Sequence, residues 1–157
     1  TQPRGKTPRT NKDLNNYRKG GTGTVRGKVD TDKIREIEFW EKAANDGITD
    51  QAIKKSADRF HTSLVNLDNT LTKSQFLLGK EISILDIAWF IYVNRLTLCG
   101  YPIKILHPNV NAWFKTLSER SEFAKEIIIS PDIEEAIKAN HQRQRETKTT
   151  LANIANL

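Results

Sequence analysis

The chain has 157 residues and a formal net charge of +6. This length and a hydrophobic content of 37% are enough for one domain with a single core. Its only cysteine, Cys99, excludes an internal disulfide framework and a cysteine-rich zinc site. No apolar run approaches the roughly 20 residues that a membrane-spanning helix needs, and no secretory leader pattern opens the chain, so we expect a cytoplasmic protein without a membrane partner.

The positive charge is concentrated in residues 1–28, where eight Lys or Arg face a single acidic residue and give +7. The other 129 residues together carry −1. Prolines and glycines forbid a long helix in this stretch, so the sequence predicts a basic flexible leader over 1–28, with a short helix at 10–19 that ends at Gly20. A basic arm can bind nucleic acid, but only Tyr17 supplies an aromatic ring among the charges. We therefore favour a solvated arm over a nucleic-acid partner.

The glycine-rich stretch 20–28 invites comparison with a phosphate-binding loop. A P-loop ending at Gly27-Lys28 needs Gly at position 22 and Ser or Thr at position 29, where the chain has Thr22 and Val29. No predicted strand precedes the stretch. A flexible loop is the favoured interpretation.

From Asp30 onward the apolar periodicity is helical, and residues 29–145 are predicted to form one helical domain followed by a polar tail at 146–157. A first helix is expected to run from Asp30 or Thr31 to about Asn45. A second begins after Thr49, and its apolar residues recur every three or four positions over five turns: Ile53, Ala57, Phe60, Leu64, Leu67 and Leu71.

The next helix is expected to begin with a capping box, in which Ser83 and Asp86 satisfy each other's backbone N–H groups. We assign this pair a structural capping role and not a catalytic one. The following segment, Ile84 to Leu98, is apolar nearly all round, which predicts a central helix surrounded by others. Gly100 and Pro102 are expected to end it.

Three shorter helices are predicted after that point. Pro108 is expected to start one at its first position, Ser121 to cap a stub that ends near Ile128, and Pro131 to start the last, with Ile133 and Ile137 facing inward. The fold class predicted from these elements is all-α, an orthogonal helical bundle around one central buried helix.

An ordered set of motifs resembles the C-terminal helical domain of the cytosolic glutathione transferase family. The motifs are Phe76-Leu-Leu-Gly79, Ile82-Ser83-Ile-Leu-Asp86-Ile-Ala88, His107-Pro108-Asn-Val110-Asn-Ala-Trp113-Phe, and Arg120-Ser-Glu-Phe123. The chain departs from the family pattern at Leu85, where Ala is usual, and at Ser121, where Pro is usual. The resemblance covers residues 50–130 well and 10–49 loosely.

The family's N-terminal thioredoxin-like domain supplies the glutathione site, and this sequence shows neither its strand pattern nor the Glu-Ser dipeptide used there. The resemblance therefore implies a fragment or separate second half of a transferase-like protein. That half would shape the hydrophobic-substrate pocket and part of a homodimer interface for an enzyme that conjugates glutathione to hydrophobic electrophiles. We expect no catalytic residue in this chain, no glutathione bound by it, and no activity when it is alone.

A second hypothesis is a non-catalytic protein-interaction module, of the kind that occurs in translation elongation factor and tRNA synthetase assemblies. The basic leader keeps that alternative open. Reading the gene upstream of the first residue would separate the two hypotheses, because a thioredoxin-like domain there would favour the enzyme.

Candidate substrate-binding residues follow from the same resemblance, since the first helix and the buried helix of the family's domain line the hydrophobic cleft. They are Tyr17, Trp89 and Tyr92, with Asn94 or Arg95 as a polar edge, although most aromatic residues of such a domain belong to the core. His61, His107 and His141 are far apart in sequence and lack ligand spacing, so no metal site is predicted. Cys99 is interpreted as a packed residue and not as a nucleophile.

Overall fold

A computed structural model describes residues 10–157, and these form two compact units. The first unit ends at Ala52 and the second begins at Ile53. Each unit is described by itself below. The predicted leader segment 1–9 lies outside the described residues.

The first unit consists of two helices joined by a short hairpin. Its elements are α1 (Asn11–Lys19), β1 (Thr24–Val25), β2 (Lys28–Val29), α2 (Thr31–Asp46) and the first residues of α3 (Asp50–Leu71). Thr10 caps α1, since the backbone N–H of Asp13 donates to its hydroxyl and the Asp13 carboxylate accepts from its N–H. Leu14, Ile37 and Ala43 are buried.

The hairpin is a feature that the sequence interpretation missed. The strands pair antiparallel, with Val25 opposite Lys28, and Arg26 and Gly27 both take positive φ angles, of 52° and 74°. Two consecutive positive φ values at a two-residue turn are typical of the turn that suits the twist of a hairpin. Arginine is an uncommon residue at such a position, so the local sequence predicts a loop instead.

The second unit contains most of α3 and six further helices. They are α4 (Ile84–Leu98), α5 (Ile103–Leu106), α6 (Pro108–Ser118), α7 (Ser121–Ala124), α8 (Pro131–Glu146) and α9 (Leu151–Ala155), with a short 3₁₀ turn at Lys125–Ile127. The all-α fold class is confirmed. None of the helices in residues 10–157 is long and apolar enough to cross a membrane.

One continuous hydrophobic core holds the second unit together. Its buried members are Leu64, Phe76, Leu77, Phe90, Val93, Tyr101, Ile103, Val110, Trp113, Leu117 and Phe123. Phe90 lies at the centre, stacked on Phe114 at 4.9 Å between ring centroids and edge-on to Phe123 at 4.8 Å. Aromatic rings at these spacings stabilise each other beyond the area that they bury.

Helix α4 supplies the centre of this core from one face only. Asp86, Phe90 and Val93 are buried, but Ile84 is 75% exposed and Ile87 is 49% exposed. The expectation that an apolar helix is surrounded on every side is therefore wrong for this face. The covering helices lie against the Phe90 side, and the opposite apolar side stays open.

Three smaller expectations need correction. Ile133 is 53% exposed instead of facing inward, since α8 has no fully buried residue. Arg120, and not Ser121, occupies the N-cap position of α7, so Ser121 is already helical. Helix α5 is absent from the predicted elements, because its four residues are too few to show a periodic pattern.

The end of the chain packs against the second unit. Ala155 of α9 is buried, and its carbonyl accepts a hydrogen bond from Lys54 Nζ at 3.3 Å. Leu151 and Leu157 lie against the core. The predicted polar tail 146–157 thus contains a short helix that packs on the core.

Candidate functional site

Helix α4 is fixed at its N-terminus by a buried carboxylate. Asp86 Oδ2 accepts from the Ser83 N–H at 2.9 Å and from the Ser83 hydroxyl at 2.6 Å. Its other oxygen accepts from the Leu77 N–H and from Trp113 Nε1, both at 3.0 Å. Asp86 therefore caps α4 as expected, and it also joins the helix to α6 and to the turn before it.

The charge state of Asp86 follows from these contacts. Burial alone would raise the pKa of the carboxyl, but the hydrogen bonds from Ser83, Leu77 and Trp113 outweigh it and hold the pKa below its ordinary value. Asp86 is thus an ionised, fully bonded anchor. It does not have the raised pKa that a general acid would need.

The opposite side of α4 presents an open apolar surface, which we call the outer face of α4. Its exposed residues, Ile84, Ile87, Ala88, Tyr92 and Arg95, share one side of the helix around the half-buried Ile91. Tyr92 is 48% exposed, and Leu85 beside it is also exposed. Apart from Arg95 at its end, the face carries no charge. Contiguous apolar surface of this kind marks interaction or ligand sites.

Three aromatic rings meet along one edge of this face. The Trp89 and Tyr92 ring centroids are 5.9 Å apart, and Phe60 of α3 lies 6.0 Å from Tyr92. Trp89 and Phe60 are partly buried against the core, which holds the rings in place. The three rings form an aromatic cluster where α3 meets α4.

The structure thus brings Trp89 and Tyr92 together among the predicted substrate-binding residues. Asn94, partly buried, and Arg95, exposed, follow in the next turn of α4. Phe60 was missed, because its place in the regular stripe of α3 is explained by core packing alone. Its contact with Tyr92, 32 positions away, leaves no signal in the sequence.

Tyr17 lies in the first unit, on α1. Its hydroxyl donates to Glu36 Oε2 at 3.1 Å, and Lys33 Nζ lies 5.1 Å from the centre of its ring. These contacts connect α1 with α2. They give Tyr17 a packing role besides the predicted one in substrate binding.

Two of the three histidines meet in the second unit. Tyr101 Oη lies 3.1 Å from His61 Nδ1 and 3.1 Å from His107 Nε2, so it joins the two rings. His141 lies against Gly100 instead. Within residues 10–157, no group of three His, Cys, Asp or Glu could hold a metal ion.

The cysteine does not have the features of a nucleophile. Cys99 lies at the C-terminal end of α4, and although part of the residue is exposed, burial of the thiol raises its pKa. A raised pKa lowers the thiolate fraction and with it the reactivity.

The comparison with protein families adds an independent finding. Residues 50–116 match the family model described as "Glutathione S-transferase, C-terminal domain". The match begins with α3, includes α4 with its capping box, and ends within α6. No curated protein and no solved structure matches the chain significantly. Residues 50–116 are therefore similar to the C-terminal domain of glutathione S-transferases.

Proposed function

We propose that the chain is the substrate-binding half of a glutathione transferase-like protein, and that the outer face of α4 forms one wall of its hydrophobic-substrate pocket. The observation that carries the proposal is an uncovered apolar face on the central helix of a glutathione transferase C-terminal domain. Proteins of this family use glutathione as co-substrate, generally bind hydrophobic electrophiles, and generally dimerise. The homodimer and the cytoplasmic location expected from the sequence belong to this same proposal.

Each residue of the proposed wall has a distinct role. The exposed ring of Tyr92 stacks on a flat apolar ligand, and Trp89 and Phe60 hold that ring in position. Arg95 follows one turn later and offers a cation to a ligand that also carries an acidic group. Asn94 provides an amide at the polar edge, and Tyr17 stays a candidate on the first unit.

The proposal assigns no thiol chemistry to this chain. Conjugation needs a hydroxyl or thiol hydrogen-bonded to the glutathione sulfur, together with partners for two carboxylates and an amine, and these residues are expected on a glutathione-binding domain. Titration of the chain with glutathione should leave the fluorescence of Trp89 and Trp113 unchanged. Saturable binding in the micromolar to low millimolar range would contradict the assignment.

The role of Arg95 can be tested with two hydrophobic dyes of similar size, one anionic and one neutral. Arg95→Ala should weaken binding of the anionic dye roughly threefold to tenfold, as expected for loss of one exposed ion pair, and leave the neutral dye unaffected. Lys104→Ala on α5 is the matched control, because Lys104 is an exposed cation outside the proposed wall. Equal effects of the two substitutions on the anionic dye would exclude Arg95 from the site.

A further inference from the structure

A chain of three polar side chains, two of them buried and one, His61, half-buried, lies where α3, the α4–α5 connection and the start of α6 meet. His61 comes from α3, Tyr101 from the connection, and His107 from the residue before α6. His107 is fully buried, Tyr101 is buried, and their rings lie nearly parallel with centroids 5.9 Å apart. We call the chain His61–Tyr101–His107 the relay, because the Tyr101 hydroxyl lies within 3.1 Å of a ring nitrogen on each side.

The hydrogen-bond pattern fixes where the protons of the relay lie. His107 Nδ1 is buried and has no partner, the one such side-chain nitrogen or oxygen in the described part of the chain. A buried N–H without an acceptor is the costlier alternative, so we assign the His107 proton to Nε2, where it is donated to the Tyr101 oxygen. The Tyr101 hydroxyl then donates to His61 Nδ1. Each of the two hydrogen bonds thus contains one proton, that of His107 Nε2 in one and that of the Tyr101 hydroxyl in the other.

One additional proton cannot be accommodated in this arrangement. Placed on His107, it occupies the buried Nδ1, where no acceptor exists. Placed on His61 Nδ1, it turns the Tyr101 hydroxyl toward His107 Nε2 and shifts the His107 proton to that same Nδ1. Either route leaves an unsatisfied buried N–H next to a positive charge, or breaks one of the two contacts.

The surroundings of His107 together lower its pKa. Burial, and then the charge of His61, lower the pKa of His107, while Asp68 on α3 opposes them. Asp68 itself is engaged, since its oxygens accept from Asn109 Nδ2 and the Val110 N–H, both at 2.9 Å. Among the other neighbours, His141 of α8 lies against Gly100, and Lys104 of α5 is exposed.

We propose that the relay is an acid-sensitive latch, which holds α3 against the start of α6 at neutral pH and opens when it takes up one proton. The sign follows from the buried ring: a histidine whose pKa is lowered by folding binds its proton more readily in the open state. Stability is therefore complete above the ordinary histidine pKa of 6.5 and is lost as the pH falls below it. Carboxylates mostly titrate at lower pH, so a change in stability between about pH 5 and pH 7 is expected to come from histidine protonation.

Urea unfolding of the full chain between about pH 7 and pH 5 tests the latch. The unfolding equilibrium constant should rise below pH 6.5 by up to about tenfold per pH unit, the limit for uptake of one proton. His107→Gln should abolish this dependence, whereas the matched control His141→Gln should keep it. The proposal is overturned if wild type and His107→Gln show the same pH dependence, or if His141→Gln is the variant that loses it.

A measurement on the wild-type protein decides the matter even if His107→Gln does not fold. Amide hydrogen exchange, corrected for the intrinsic effect of pH, should show the Val110 N–H losing protection in acid at least tenfold more than the Phe90 N–H at the centre of α4. That result identifies local opening at the latch. Equal changes at the two amides between pH 7 and pH 5 would exclude it.

Discussion

The two faces of α4 are both mostly apolar, but one is buried in the core and the other is exposed. The inner face, with Asp86, Phe90 and Val93, is buried, and every hydrogen-bonding oxygen of its carboxylate has a partner. The outer face, with Ile84, Ile87 and Tyr92, is also mostly apolar but remains about half exposed or more. Since burial and not composition stabilises a fold, the inner face determines stability and the outer face is available for binding.

The largest effect on folding is expected at the centre of the inner face. Phe90→Ala removes a ring that stacks on Phe114 and contacts Phe123 edge-on, and it leaves a cavity. The free energy of unfolding should fall by about 3–5 kcal/mol, measured by urea unfolding monitored by circular dichroism. A loss below about 1 kcal/mol would show that the inner face is not the core.

The next effect is expected at the anchor of the same face. Asp86→Ala leaves the Leu77 N–H, Trp113 Nε1 and both donors of Ser83 without their acceptor. The free energy of unfolding should fall by about 2–4 kcal/mol at neutral pH. Arg120→Ala is the control, because its exposed pair with Glu122 should contribute less than about 1 kcal/mol.

The anchor also has an acid dependence of its own. Because the pKa of Asp86 is held below its ordinary value of 3.8, its stabilisation is complete above 3.8 and is lost as the pH falls through the lower folded value. The difference in unfolding free energy between wild type and Asp86→Ala should therefore shrink below pH 3.8. A constant difference down to about pH 2 would mean that the carboxylate charge is not what stabilises α4.

The smallest effect on folding is expected on the outer face. Ile87→Ala should change the free energy of unfolding by less than about 0.5 kcal/mol, because the side chain is half exposed. The matched substitution on the inner face, Val93→Ala, should cost about 2 kcal/mol. Similar losses for both variants would contradict the distinction between the two faces.

The sequence predicts those features that depend on neighbouring residues. The capping box of Ser83 and Asp86, the stripe of α3 and the proline that starts α6 are local patterns, and each is present in the structure. The hydrophobic pattern of α4 indicates how apolar the helix is, but not how many of its sides are covered. Coverage depends on where distant helices pack, which periodicity does not encode.

Contacts over long sequence separations account for the rest of the difference. Trp113 donates to Asp86 from 27 positions away, and Tyr101 joins His61, 40 positions earlier, to His107. Each of these residues has an ordinary local explanation as a core or helix-start residue. The sequence therefore indicated Trp89 and Tyr92 through a family resemblance, but neither the aromatic partner Phe60 nor the relay.

Binding of a neutral hydrophobic dye to matched exposed variants tests the central claim most directly. Ile87→Ser combined with Tyr92→Ser removes two side chains of the outer face of α4, whereas Ile128→Ser removes an even more exposed apolar side chain elsewhere in the second unit. The account predicts at least tenfold weaker dye binding for the double variant only, with a melting temperature close to that of wild type. Unchanged dye binding in a folded double variant would show that the outer face is not the ligand surface.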